Sequence, residues 1–136
     1  MDRRTFVISM AALAAAGPAF AANGTAYKKG LVEKELAAGN TVFLDFYTEW
    51  CTTCRVQGTK IRKLMKANPA YEANITFIKV DWDRHSASTL ARRLNIPRRS
   101  TLVALKGDQE LGRIVAGTRD KDIKALMDKA LAAATA

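Results

Sequence analysis

The chain of 136 residues contains two cysteines, Cys51 and Cys54, three positions apart in Trp50-Cys51-Thr52-Thr53-Cys54. A bridge between cysteines this close closes almost no loop and adds little stability, which argues against a structural staple. A structural zinc site needs about two further nitrogen or sulfur ligands, and the only histidine is His85. A c-type haem attachment needs a histidine directly after the second cysteine, where Arg55 stands. The spacing suits thiol–disulfide exchange, in which a thiolate attacks a disulfide sulfur and a second thiol resolves the mixed disulfide. Copper(I) capture by the two thiolates is the alternative chemistry.

The elements around the pair decide what each sulfur can do. Thr41-Val42-Phe43-Leu44-Asp45-Phe46-Tyr47 is a nearly continuous apolar run, rich in β-branched and aromatic residues, and predicts a central strand buried on both faces. The motif follows at once, and Val56, Ile61, Leu64 and Met65 then recur at helical spacing up to Asn68-Pro69. Cys51 is therefore expected at the start of a helix. Unpaired N–H groups and the helix dipole there favour a thiolate and should bring the thiol from about 8.5 toward neutrality. Cys54 lies one turn on and deeper. The roles that follow are Cys51 as nucleophile and Cys54 as resolving thiol.

The remaining pattern supplies a scaffold. A short helix over Leu31–Ala37 precedes the first strand, and Ile75–Asp81 reads as a second buried strand. Ser86 or Ser88 caps a helix through Leu90 and Leu94. Thr101–Leu105 is a third strand, and Lys106-Gly107-Asp108-Gln109 turns it back into Leu111–Val115. Asp120 opens a last helix with Ile123, Leu126, Met127 and Leu131 on one face. The order αβαβαββα predicts one α/β domain, with a mixed sheet of about four strands flanked by helices.

Residues 1–21 read as an export signal and 22–30 as a linker, leaving 31–136 for the domain. Arg3-Arg4-Thr5-Phe6 resembles a twin-arginine signal, although Asp2 departs from that pattern. An alanine-rich apolar run follows, and Ala19-Phe20-Ala21 suits cleavage after Ala21. The run is short of the roughly 20 residues that span a bilayer, so a periplasmic product is expected over a membrane-anchored one. The formal charge is +9; cleavage removes Asp2, Arg3 and Arg4, leaving 20 basic and 12 acidic residues and +8. No basic run is interleaved with aromatics, so a solvated basic surface is expected, not a nucleic-acid site.

Leu44-Asp45-Phe46-Tyr47-Thr48-Glu49-Trp50-Cys51-Thr52-Thr53-Cys54 resembles the active-site segment of the thioredoxin superfamily. The likeness runs from about Leu31 to the C-terminus. The short opening helix before the strand looks most like the C-terminal periplasmic domain of the transmembrane disulfide-interchange reductases (DsbD type). The resemblance implies a three-layer thioredoxin-like sandwich, a redox-active Cys51–Cys54 disulfide and no other cofactor. It also makes Asp45 the buried acid that moves the proton of the resolving cysteine, with Lys79 beside it on the next strand. A carboxyl in an apolar strand is suited to accept a proton, although a purely structural Asp45 is the competing reading. Trp50 would shield the sulfurs and meet a partner, or simply pack.

One segment departs from the family. Thioredoxin-like proteins place a cis-proline just before the third strand, facing the cysteines, and the backbone preceding it grips the substrate. In Ile96-Pro97-Arg98-Arg99-Ser100-Thr101-Leu102, alignment on Thr101-Leu102 puts Ser100 at that place and Pro97 three residues early. Because a non-proline cis peptide costs about 2.5–4 kcal/mol, the Arg99–Ser100 bond is expected to be trans. The substrate wall is then Trp50, Arg99, Ser100 and Thr101, with Arg98 and Arg99 favouring a thiolate or an acidic substrate. The expectation is an exported, monomeric enzyme. It would reduce or exchange protein disulfides, with electrons from a membrane or periplasmic donor.

Overall fold

The computed structural model describes residues 24–136; the export signal expected over 1–21 lies outside them. Strand β2 (Thr41–Tyr47) is buried along almost its whole length, as a continuous apolar run requires. It pairs in parallel with β3 (Ile75–Asp81) and antiparallel with β4 (Thr101–Lys106). The strand β5 (Gln109–Val115) returns through the Gly107 turn to pair antiparallel with β4. Gly107 adopts φ 60, a left-handed conformation that glycine takes without steric cost.

Among the described residues the sheet has five strands, not about four. The stretch read as a linker contributes β1 (Thr25–Ala26), which pairs in parallel with β3, and Tyr27 N–H then donates to Lys79 C=O at 2.8 Å. Two residues are too few to show an alternating pattern, so nothing in the sequence marks this strand. The sheet order is β1-β3-β2-β4-β5.

Among the described residues six helices cover the two faces. One core joins Phe43, Phe77, Leu102 and Ala104 of the sheet to Ile61 and Met65 of α2 (Thr52–Ala67) and to Ile123 and Met127 of α6 (Asp120–Ala134). Tyr71 enters the same core from the single-turn α3 (Ala70–Asn74). The opposite core joins Val42, Leu44, Phe46, Ile78 and Val80 to Val32 of α1 (Leu31–Ala37) and Leu90 of α5 (Thr89–Arg93). Ser88 caps α5, its hydroxyl accepting from Ala91 N–H at 3.1 Å. The alternation along β2 sends Phe43 to one core and Val42 and Leu44 to the other, the two-residue period of a pleated strand. A further turn, α4 (Trp82–His85), follows β3 and is capped by Asp81. This is the expected three-layer α/β sandwich with a mixed sheet. Among the described residues no helix is long and apolar enough to cross a membrane.

Candidate active site

Strand β2 ends at Tyr47, and the chain reaches α2 within four residues. That short link forces the motif onto the rim of the sheet, with Cys51 as the N-cap of α2. Its sulfur accepts from Cys54 N–H at 3.1 Å, so a thiol takes the place a serine or aspartate side chain usually fills. Cys51 is buried (4% exposed), as is Cys54 (5%), and both are free thiols.

Ser100 lies against both sulfurs. It is fully buried, and its hydroxyl oxygen is 3.1 Å from Cys51 Sγ and 3.1 Å from Cys54 Sγ. The alignment that put Ser100 opposite the cysteines therefore describes the geometry, and Pro97 is exposed in the preceding loop. The Arg99–Ser100 peptide is trans, as are all peptide bonds of the described residues, and Ser100 takes φ 66. Its N–H donates to Phe46 C=O at 2.7 Å, and its C=O accepts from Ala116 N–H at 2.8 Å.

These contacts split the two thiols. Burial pushes Cys51 up. Hydrogen bonds from the Cys54 side chain, the Ser100 hydroxyl, the Cys54 backbone and the Arg99 side chain outweigh it, and the thiol falls from 9.0 to about 7. Cys54 goes the other way, raised first by burial and then by its hydrogen bond to Cys51. A thiol poised near neutrality and a second one held protonated are the two components of a stepwise exchange.

The other sequence-predicted residues take distinct positions. Asp45 is buried on β2, in register with Lys79 of β3 and Leu102 of β4. It lines a cleft of about 220 Å³ that also contains Cys54, Thr48 and Arg55. Lys79 places its amine 4.0 Å over the Tyr47 ring. Trp50 is 58% exposed, and the Arg99 guanidinium stacks on it at 4.3 Å from the ring centroid. Thr101 is fully buried, and its hydroxyl donates to Arg98 C=O at 2.7 Å, so it braces the loop from within. Arg98 Nε donates to Arg99 C=O at 2.9 Å, occupying the carbonyl just before Ser100. His85 stands apart, edge-on to Tyr27.

Two contributors lie outside the motif. Asp83 on α4 accepts from Trp50 Nε1 at 2.9 Å and anchors the indole on its second side. Gln57 is fully buried on α2, and its Nε2 donates to Ser100 C=O at 3.0 Å and Gly117 C=O at 2.9 Å. A glutamine on the inward side of an amphipathic helix breaks the apolar pattern, and that break was the available signal.

Comparison with known proteins agrees with this geometry. The family model for thioredoxin matches residues 22–129. The chain is 34% identical over 93 residues to thioredoxin 2 of Plasmodium falciparum, covering 68% of this chain and 56% of that one. It is 28% identical over 97 residues to thioredoxin Asp f 28 of Aspergillus fumigatus, covering 71% and 84%. Among solved structures, Trxlp of Edwardsiella tarda superposes with a TM-score of 0.62 at 27% identity, covering 75% of this chain and 92% of that one. Sequence, fold and the split cysteine pair thus agree, and the chain belongs to the thioredoxin family as a thiol–disulfide oxidoreductase whose CxxC motif is Cys51 and Cys54.

Proposed function

We propose that the protein works after export, in the periplasm, as a monomeric reductant of protein disulfides resupplied by a membrane or periplasmic electron donor. This is a role like that of the periplasmic domain of DsbD-type reductases. The observation that carries the direction is the Cys51 thiol at about 7. Strongly oxidising pairs have an attacking thiol near 3.5, whose stable thiolate favours the reduced form, whereas reductants of this fold lie near 7. The pair itself is the redox group, and no further cofactor enters the reaction.

Each turnover is a two-electron exchange. Cys51 thiolate attacks a substrate disulfide, a Cys51–substrate bond forms, and the other substrate sulfur leaves and takes a proton. Cys54 gives its proton to Asp45 across the shared cleft and attacks Cys51. The substrate's second sulfur departs as the Cys51–Cys54 disulfide closes. Trp50, Arg99 and Ser100 form the wall the substrate meets, with Thr101 supporting it. Arg98 already bonds the carbonyl of Arg99, and the two arginines favour an acidic segment.

The midpoint potential tests this directly. A value of about −200 to −270 mV, with protein-disulfide reduction abolished by Cys51→Ser, is expected. A potential near about −120 mV would make the protein an oxidant. A pair that reduced nothing but retained stoichiometric copper(I) would instead be a thiol metal chaperone. The mass of the exported product should correspond to a chain beginning at Ala22.

A further inference from the structure

Ser100 Oγ is equidistant, at 3.1 Å, from the two reacting sulfurs. A hydroxyl has one O–H and two lone pairs, so it donates to one sulfur at a time while it can accept from the other. In the resting dithiol Cys51 ionises first, and the Ser100 O–H then points to the Cys51 sulfur beside the Cys54 S–H. Once Cys51 is held in a mixed disulfide it carries no charge, and Cys54 becomes the sulfur that must ionise. Rotation about one side-chain bond brings the same O–H to it.

We propose that Ser100 is a catalytic residue in both half-reactions, its O–H stabilising first the Cys51 thiolate and then the Cys54 thiolate, with Gln57 as the positioning residue that holds it between them. This rests on the roles assigned above, Cys51 attacking and Cys54 resolving. The serine itself is neither oxidised nor reduced. Two electrons pass from the dithiol to the substrate disulfide, two protons end on the substrate sulfurs, and Ser100 regains its first orientation when the pair is reduced again.

Gln57 supplies the rigidity that this switching needs. A serine at φ 66 is in a sparsely populated conformation that persists only where its surroundings over-determine it. The amide of Gln57 bonds Ser100 C=O and Gly117 C=O together, which ties α2 to the loops before β4 and α6. The hydroxyl is therefore free to turn about its own bond while the backbone beneath it stays fixed.

The test uses the full chain with Ser100→Ala and Ser100→Gly, the glycine also relieving the left-handed backbone. Cys51 ionisation is followed by the ultraviolet absorbance of its thiolate. Resolution is followed by release of thionitrobenzoate from a Cys51 mixed disulfide. Both variants are expected to raise Cys51 ionisation by about one pH unit and to slow release about tenfold. Gln57→Met, which keeps the volume and removes the amide, should move both readouts the same way by less and add nothing in the Ser100→Ala background. Wild-type ionisation and release in both serine variants would overturn the catalytic assignment. A Gln57→Met effect fully additive to Ser100→Ala would overturn the positioning one. Wild-type protein releasing no thionitrobenzoate would instead overturn the cysteine roles beneath the proposal.

Discussion

Replacing Cys54 with alanine removes the foremost hydrogen bond that lowers the Cys51 thiol, while the residue 54 backbone N–H still faces the Cys51 sulfur at 3.1 Å. A hydrogen bond to a charged group is worth about 1.5 kcal/mol at the low end, and 1.36 kcal/mol is one pKa unit, so ionisation should move up by about one unit. The wild-type thiol at about 7 is about half ionised at pH 7, and the variant about a tenth, a roughly fivefold loss of thiolate. The more basic thiolate is intrinsically about threefold more reactive, from a Brønsted slope of about 0.4–0.5. The two effects cross. Alkylation of Cys51 by iodoacetamide should be about twofold slower than wild type at pH 7 and about threefold faster once both thiols are fully ionised. Rate against pH for the two proteins is the assay. Superimposed profiles, or a wild-type midpoint at the ordinary thiol value of 9.0, would refute the account of how this site is charged.

Asp45→Asn keeps the side-chain shape on β2 and removes the carboxyl group proposed as proton acceptor in the cleft shared with Cys54. It should slow release from a Cys51 mixed disulfide by about a hundredfold while leaving Cys51 alkylation within about twofold, and equal release rates would remove Asp45 from the resolving step. Phe43 is fully buried, in register with Phe77 and Ala104 and with its ring 5.2 Å from that of Phe77. Phe43→Ala should cost the reduced protein about 3–5 kcal/mol in denaturant unfolding, and a loss under about 1 kcal/mol would mean the core closes over the gap.

The elements nearest the chemistry were the most legible in the sequence, for a physical reason. Strand β2 is buried on both faces, so every residue is under the same constraint and the apolar run is nearly unbroken. Helix α2 packs one face on the sheet, so its period shows in Ile61 and Met65. The edge strand β1 and the single turns α3 and α4 are shorter than any period that could announce them. The roles of Asp83 and Gln57 are hidden for a different reason. Their partners lie 33 residues away for Asp83, and 43 and 60 residues away for Gln57. Side-chain bonds between distant segments leave no periodic trace of the partner, only the break that Gln57 makes in the apolar face of α2.

Ser100 stands between these cases, because counting back from Thr101-Leu102 located it but could not say what a serine does there. A proline at that place would have no N–H, whereas Ser100 N–H donates to Phe46 C=O at 2.7 Å and ties the loop to β2 beside the motif. The serine also brings a hydroxyl to both sulfurs. Against these gains stands a left-handed backbone, at about 1–3 kcal/mol. The Gln57 amide and the Ala116 N–H, both bonded to the Ser100 carbonyl, offset that cost. The departure from the family at Ser100 is therefore half of a pair. The other half, Gln57, is a buried amide whose Nε2 bonds the carbonyls of Ser100 and Gly117; an unsupported polar group at that depth would favour an apolar replacement.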